Sequence, residues 1–98
     1  MEVLVRIEAH LPPDMDEDAR RRLLEHERQE GEALVEEGIL YAIWRLPGSL
    51  ANVGIWRVED ADHLAAVLIR LPIVAYANVR AELPATHPLR TPGVPSAA

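Results

Sequence analysis

The chain has 98 residues, of which 49% are hydrophobic, and it carries a formal net charge of -6 with no cysteine. This length allows a single domain, and the absence of cysteine excludes disulfides, thiolate catalysis and zinc–thiolate sites. The acidic balance argues against a nucleic-acid-binding surface, and since no apolar run is long enough to span a membrane, we expect a soluble, cytoplasmic protein.

The first elements in chain order are a strand and a long helix. Alternating apolar and polar residues predict a strand over residues 2–9. The paired prolines that follow end this strand, and Asp14 or Asp16 offers an N-cap for a helix. Strong helix formers continue to Glu37, and Gly38 stands where a glycine stop is common.

This helix has one apolar stripe that also contains a carboxylate. At 100° per residue, Glu27 lies in the direction through the middle of the stripe, whose other members are Leu23, Leu24, Gly31, Leu34 and Val35. Burying an ionised carboxylate without a partner is costly. Glu27 therefore either pairs with an internal arginine, reaches water from the stripe edge, or serves a function.

A predicted hairpin follows, with strands at about residues 39–46 and 50–58 joined by a Pro-Gly-Ser turn. Trp44, Arg45 and Asn52 place an indole N–H, a guanidinium and an amide close to that turn. A hairpin does not require such groups in order to form. They are therefore candidate functional residues.

The rest of the chain predicts a second helix and a fourth strand. The helix begins at Asp60 or Asp62 and ends before Pro72, and the strand covers residues 74–83. The order βαββαβ predicts an α+β, ferredoxin-like fold, in which a four-stranded antiparallel sheet carries both helices on one face. The other face stays bare, which favours dimerisation through it or around its edges.

We assign residues 1–88 to a single domain and residues 89–98 to a Pro-rich C-terminal tail. Within the domain, Glu27 and the polar residues of the hairpin form the combination that a proton-transfer site needs. A carboxylate partly removed from water has a raised pKa, which suits it to take a carbon-bound proton and return it elsewhere. Indole, amide and guanidinium groups stabilise a developing oxyanion and hold an anionic substrate.

With these residues the sequence resembles the muconolactone Δ-isomerase family, without a gap, from about residue 1 to residue 88. The shared positions are Leu11-Pro12, Asp14-Met15-Asp16, Glu27 followed by a basic residue, Gly38, Trp44-Arg45, Gly48, Ala51-Asn52, Leu71-Pro72, Tyr76 and His87-Pro88. The resemblance implies a ferredoxin-like protomer of the dimeric α+β barrel type. It also implies a homodimer and its assembly into a ring of dimers.

The resemblance further implies a reaction without cofactor or metal in aromatic catabolism, in the β-ketoadipate pathway. Muconolactone, an unsaturated lactone with an acetate arm, becomes 3-oxoadipate enol-lactone when a base removes a ring proton and the resulting dienolate is protonated on its α-carbon. By resemblance, Glu27 is the shuttling base. The substrate-binding side chains that it implies are Arg28, Trp44, Arg45, Asn52 and Tyr76, with Trp44 and Asn52 near the enolate or ring oxygen and Arg28 or Arg45 near the carboxylate.

The sequence also departs from the family pattern. Leu4 replaces a common histidine, Leu50 replaces a tyrosine, and residues 74–77 lack an aromatic-proline-tyrosine-methionine run. These losses leave room for a second hypothesis, a cofactor-free cyclase, isomerase or dehalogenating lactone enzyme for a larger, less polar substrate. A third hypothesis is a non-catalytic dimeric ligand-binding module in which Glu27 belongs to a buried salt bridge.

The remaining polar and aromatic candidates have simpler explanations. His26 and Glu30, one helical turn apart, are expected to form a surface pair and not a metal site. Trp56 is expected to fill the core or an interface. His87 either folds over a neighbouring subunit's pocket or has a structural role in its turn.

Overall fold

The computed structural model describes residues 1–89. Its strands and helices, in chain order, are β1 (Glu2–Ala9), α1 (Glu17–Glu36), β2 (Leu40–Leu46), β3 (Ala51–Arg57), α2 (Ala61–Leu68), a 3-10 segment (Pro72–Tyr76) and β4 (Ala77–Glu82). The strands form one antiparallel sheet in the order β2-β3-β1-β4. This is the ferredoxin-like topology that the sequence predicts.

Side-chain caps fix where the two helices begin. Asp16 caps α1, because its Oδ2 accepts a hydrogen bond of 3.1 Å from the N–H of Ala19. Asp60 caps α2 in the same way, with its Oδ1 2.7 Å from the N of His63. Gly38 has a φ of +77° just after α1, as the glycine stop predicts.

The core lies between the helices and one face of the sheet. Alternate residues of β1 point into it, and Trp56 on β3 is only 1% exposed, which confirms its expected core position. On α1, Leu34 is fully buried, but Val35 is 52% exposed. The predicted stripe was therefore wrong at Val35, which lies at the edge of the face that α1 turns toward the sheet.

An arginine ties the end of α2 to α1. The Arg70 guanidinium donates to both carboxylate oxygens of Glu37 at 3.1 and 2.7 Å, and its Nε lies 3.3 Å from Glu30. These ion pairs hold the chain in place directly before the 3-10 segment.

The predicted fourth strand began too early. Residues 72–76 form the 3-10 segment, and the strand starts only at Ala77. Pro72 fits the first position of a helical turn because it has no N–H to lose, and the carbonyl of Leu71 accepts the N–H of Val74 at 3.1 Å. The β-branched side chains of Ile73 and Val74 gave this turn the appearance of a strand.

The predicted tail at residues 89–98 lies, apart from Leu89, outside the described residues. Among residues 1–89, neither helix combines the length and the apolar character that crossing a membrane demands.

Candidate active site

A cavity of about 460 Å³ lies between α1 and the helix-facing side of the sheet. Four polar side chains reach it, two from α1 and two from the hairpin: Glu27, Arg28, Arg45 and Asn52. The rest of the wall is mainly apolar, with side chains that include Ile7, Leu24, Ile43, Leu50 and Ile73. An apolar cavity with a few convergent polar groups is the usual form of a small-molecule site.

Glu27 reaches the cavity from α1 and is half-buried. Its Oε1 accepts a hydrogen bond of 2.9 Å from the backbone N–H of Ile73. Burial raises the pKa of the Glu27 carboxyl and prevails over the hydrogen bond from Ile73 and the nearby His26, both of which lower it. Among residues 1–89, no arginine or lysine forms an ion pair with Glu27.

Arg45 and Asn52 form the opposite wall. They are cross-strand neighbours of β2 and β3, and Asn52 is also paired with Ile7 of β1, so both side chains lie on the helix-facing side of the sheet. The Asn52 Oδ1 is buried without a hydrogen-bond partner in the described part of the chain. A buried polar atom of this kind is suited to bind a ligand, because leaving it unpaired is costly.

Arg28 also lines the cavity, but its guanidinium is already engaged. It donates to Glu25 and to Glu32, one helical turn away on either side. These carboxylates raise the pKa of Arg28 and offset its charge. Arg45 forms no ion pair with any residue in the range 1–89, so it is the freer of the two cations.

Trp44 and Tyr76 do not line this cavity. Trp44 is paired with Val53 and points to the bare face of the sheet, where it is 53% exposed. Tyr76 ends the 3-10 segment and is 37% exposed, and its carbonyl accepts the N–H of His10 at 2.8 Å. The structure therefore brings Glu27, Arg28, Arg45 and Asn52 together and leaves Trp44 and Tyr76 apart from them.

The backbone N–H of Ile73 is the contact that sequence reasoning missed. The available signal was Leu71-Pro72, since a proline at the start of a helical turn leaves the following N–H as its first free donor. That signal gives the donor but not its partner, which is 46 residues away.

The expected surface pair is present, with His26 Nε2 3.9 Å from Glu30 Oε1. Within residues 1–89 there is no cluster of three or more histidine and acidic side chains arranged to hold a metal ion.

Comparison with known proteins identifies the family. The model of the family described as muconolactone delta-isomerase matches residues 1–90. The chain belongs to the muconolactone delta-isomerase family. Its relatives include muconolactone delta-isomerase 2 of Acinetobacter lwoffii, which is 34% identical over 83 residues, 85% of this chain and 86% of that protein.

Another member of the family, muconolactone delta-isomerase of Rhodococcus opacus, is 33% identical over 75 residues, 76% of this chain and 81% of that protein. The fold agrees as well. The crystal structure of a muconolactone isomerase at 3.3 Å resolution superposes with a TM-score of 0.82 and 28% identity, over 90% of this chain and 92% of that one. The family and the ferredoxin-like fold inferred from the sequence are thus confirmed.

Proposed function

We propose that this protein is a cofactor-independent isomerase that converts muconolactone to 3-oxoadipate enol-lactone by moving a C=C bond through proton transfer. Glu27 is the base. Its carboxylate takes the ring proton, and the C–H electron pair passes into a dienolate. Glu27 then returns the proton to the ring carbon α to the lactone carbonyl, so that atoms and charge balance over the cycle.

The main support for this proposal is the position of Glu27. It is the acidic side chain that reaches the cavity, and burial raises the pKa of its carboxyl toward the range in which a base both accepts and returns a proton. A permanent salt bridge would lower the pKa instead. The non-catalytic hypothesis, in which Glu27 belongs to such a bridge, finds no ion pair for it in residues 1–89.

The opposite wall supplies the remaining roles. The amide N–H of Asn52 can donate to the enolate or ring oxygen, and the guanidinium of Arg45, which has no ion pair within residues 1–89, suits the substrate carboxylate. The cavity of about 460 Å³ is large enough to hold a lactone with its acetate arm.

The decisive experiment compares Glu27→Gln with Glu36→Gln in muconolactone turnover. Glu36 is also on α1 but is exposed and outside this cavity. Loss of the base should reduce kcat by about 10²- to 10⁴-fold, while the control keeps wild-type activity. Full activity of Glu27→Gln would show that another group is the base.

We also propose that the protein works in the cytoplasm as a homodimer and, like the assembly that the family resemblance implies, as a ring of dimers. The support is the bare face of the sheet, on which large apolar side chains such as Leu4 and Trp44 remain exposed. Such a surface favours association with a second copy of the chain.

A further inference from the structure

The 3-10 segment has one N–H group that finds no acceptor within the segment and points to the candidate site. Pro72, its first residue, has no N–H, so the N–H of Ile73 is the first donor of the turn and has no acceptor within it. Ile73 is only 7% exposed, which removes this N–H from bulk water. Its acceptor is Glu27 Oε1 at 2.9 Å.

The segment that carries this N–H is held at both ends. Directly before it, the ion pairs of Arg70 fix the chain to the end of α1. At its other end, the carbonyl of Tyr76 accepts the N–H of His10, the residue that follows β1. The N–H of Ile73 is thus anchored relative to both the helix that bears Glu27 and the sheet that bears Asn52.

We propose that the backbone N–H of Ile73 is a positioning group of the active site, which fixes Glu27 through Oε1 and leaves Oε2 as the oxygen that carries the proton. This inference rests on the proposed role of Glu27 as base. In residues 1–89 no group donates a hydrogen bond to Oε2, although Glu27 lines the cavity.

The contact gives the base two properties at once. Burial alone disfavours the ionised carboxylate, and a hydrogen bond from a backbone N–H favours it. The same bond restricts the rotation of a side chain that would otherwise sample several rotamers. Ile73 therefore keeps Glu27 ionisable and oriented, although its own side chain only packs in the wall.

A backbone amide-to-ester replacement at Ile73 tests this directly, because it removes the N–H and keeps the side chain. The matched control is the same replacement at Val74, whose N–H lies in the same segment but binds the carbonyl of Leu71. The ester at residue 73 should lower kcat/KM about tenfold or more on the acidic side of the pH profile. The acidic limb of its pH profile should also move to higher pH, because the ionised Glu27 carboxylate has lost its hydrogen-bond donor. The ester at residue 74 should leave the acidic limb where it is in the wild type.

Titration of the Glu27 carboxyl by ¹³C NMR in the same proteins separates this inference from the proposed activity, because it needs no turnover. A higher Glu27 pKa in the ester at residue 73 than in the ester at residue 74 supports the positioning role even if muconolactone is not the substrate. Equal pKa values and equal pH profiles in the two esters overturn it.

A measurement on the unmodified protein covers the case in which an ester variant does not fold. The amide proton of Ile73 should change its chemical shift with the same midpoint as the Glu27 carboxyl. An Ile73 amide that does not follow that titration also overturns the inference.

Discussion

Glu27 is subject to opposing effects that make its contribution to stability depend on pH. Burial raises the pKa of its carboxyl in the folded protein above the value in the unfolded chain. The folded state therefore binds more protons between these two values, and stability falls as the pH rises through that interval. Glu27→Gln cannot ionise and should lack this fall.

We therefore expect Glu27→Gln to gain stability relative to the wild type as the pH rises above about 4, the ordinary pKa of a glutamate carboxyl. Urea unfolding at a series of pH values measures this difference. Glu36→Gln is the control, because Glu36 is exposed on the same helix. A constant difference between Glu27→Gln and the wild type would mean that the Glu27 pKa is not raised.

The two arginines of the cavity should differ in their effect on substrate binding. Arg45→Gln removes a guanidinium without an ion-pair partner in residues 1–89, whereas Arg28→Gln removes one that Glu25 and Glu32 already engage. We expect Arg45→Gln to raise KM for muconolactone about tenfold, in line with the loss of a charged hydrogen bond. Arg28→Gln should raise it less, and the reverse order would assign the substrate carboxylate to Arg28.

At the scale of single residues, the sequence predicted the position of Glu27. It predicted the positions of the hairpin side chains only in part. Helical periodicity alone placed Glu27 toward the sheet, and the structure agrees. The resemblance implies substrate-binding roles for both Trp44 and Arg45, although neighbours in a strand point to opposite faces and only Arg45 faces the cavity. Which of the two faces α1 depends on the irregular pairing between Leu40 and Ala42, and no local pattern reveals that shift.

Among the elements, β2 and β3 leave no room for a side chain at Gly54. A Cβ atom there would lie 2.8 Å from the carbonyl oxygen of Ala42 and 3.3 Å from Leu40 Cδ1. Since the backbone of Ala42 cannot yield easily, Gly54→Ala should lower the free energy of unfolding by about 1–3 kcal/mol.

The contrasting variant is Gly31→Ala on α1, where an added Cβ meets nothing within 4 Å. Alanine is the better helix former, so this change should stabilise the protein by roughly 0.5–1 kcal/mol. Urea denaturation of the two variants measures both effects. A Gly54→Ala protein as stable as the wild type would show that the hairpin is less tightly packed than the structure indicates.

Element order was predictable because each helix and strand has its own period, but the 3-10 segment was not. Its residues Ile73 and Val74 have strand propensity, while its turn is fixed by contacts with distant parts of the chain. The bond from Ile73 to Glu27 is such a contact. Sequence reasoning thus predicted the position of Glu27 and missed the backbone N–H that donates to it.

At the scale of the whole molecule, the bare face of the sheet is the surface that neither α1 nor α2 covers. Most of its β2–β3 half is apolar, with Arg57 at one end, and the apolar residues are Ala42, Trp44, Val53 and Ile55 together with Leu4 of β1. Its β1–β4 half carries Arg6, Glu8, Arg80 and Glu82. A face with both an apolar half and charges of both signs is suited to pack against a second copy of itself.

Replacing Trp44 by glutamate should therefore dissociate the proposed dimer, because it places a charge in the centre of the apolar half, where desolvation is costly. Ile69→Glu is the matched control, since Ile69 is an apolar residue that is 77% exposed at the end of α2, in the helix layer on the other side of the sheet. Sedimentation velocity at micromolar concentration should show a monomer for Trp44→Glu and the same assembly as the wild type for Ile69→Glu. If Ile69→Glu dissociates and Trp44→Glu does not, the protomers associate through their helices. Trp44 would then remain exposed to solvent on the bare face of the sheet.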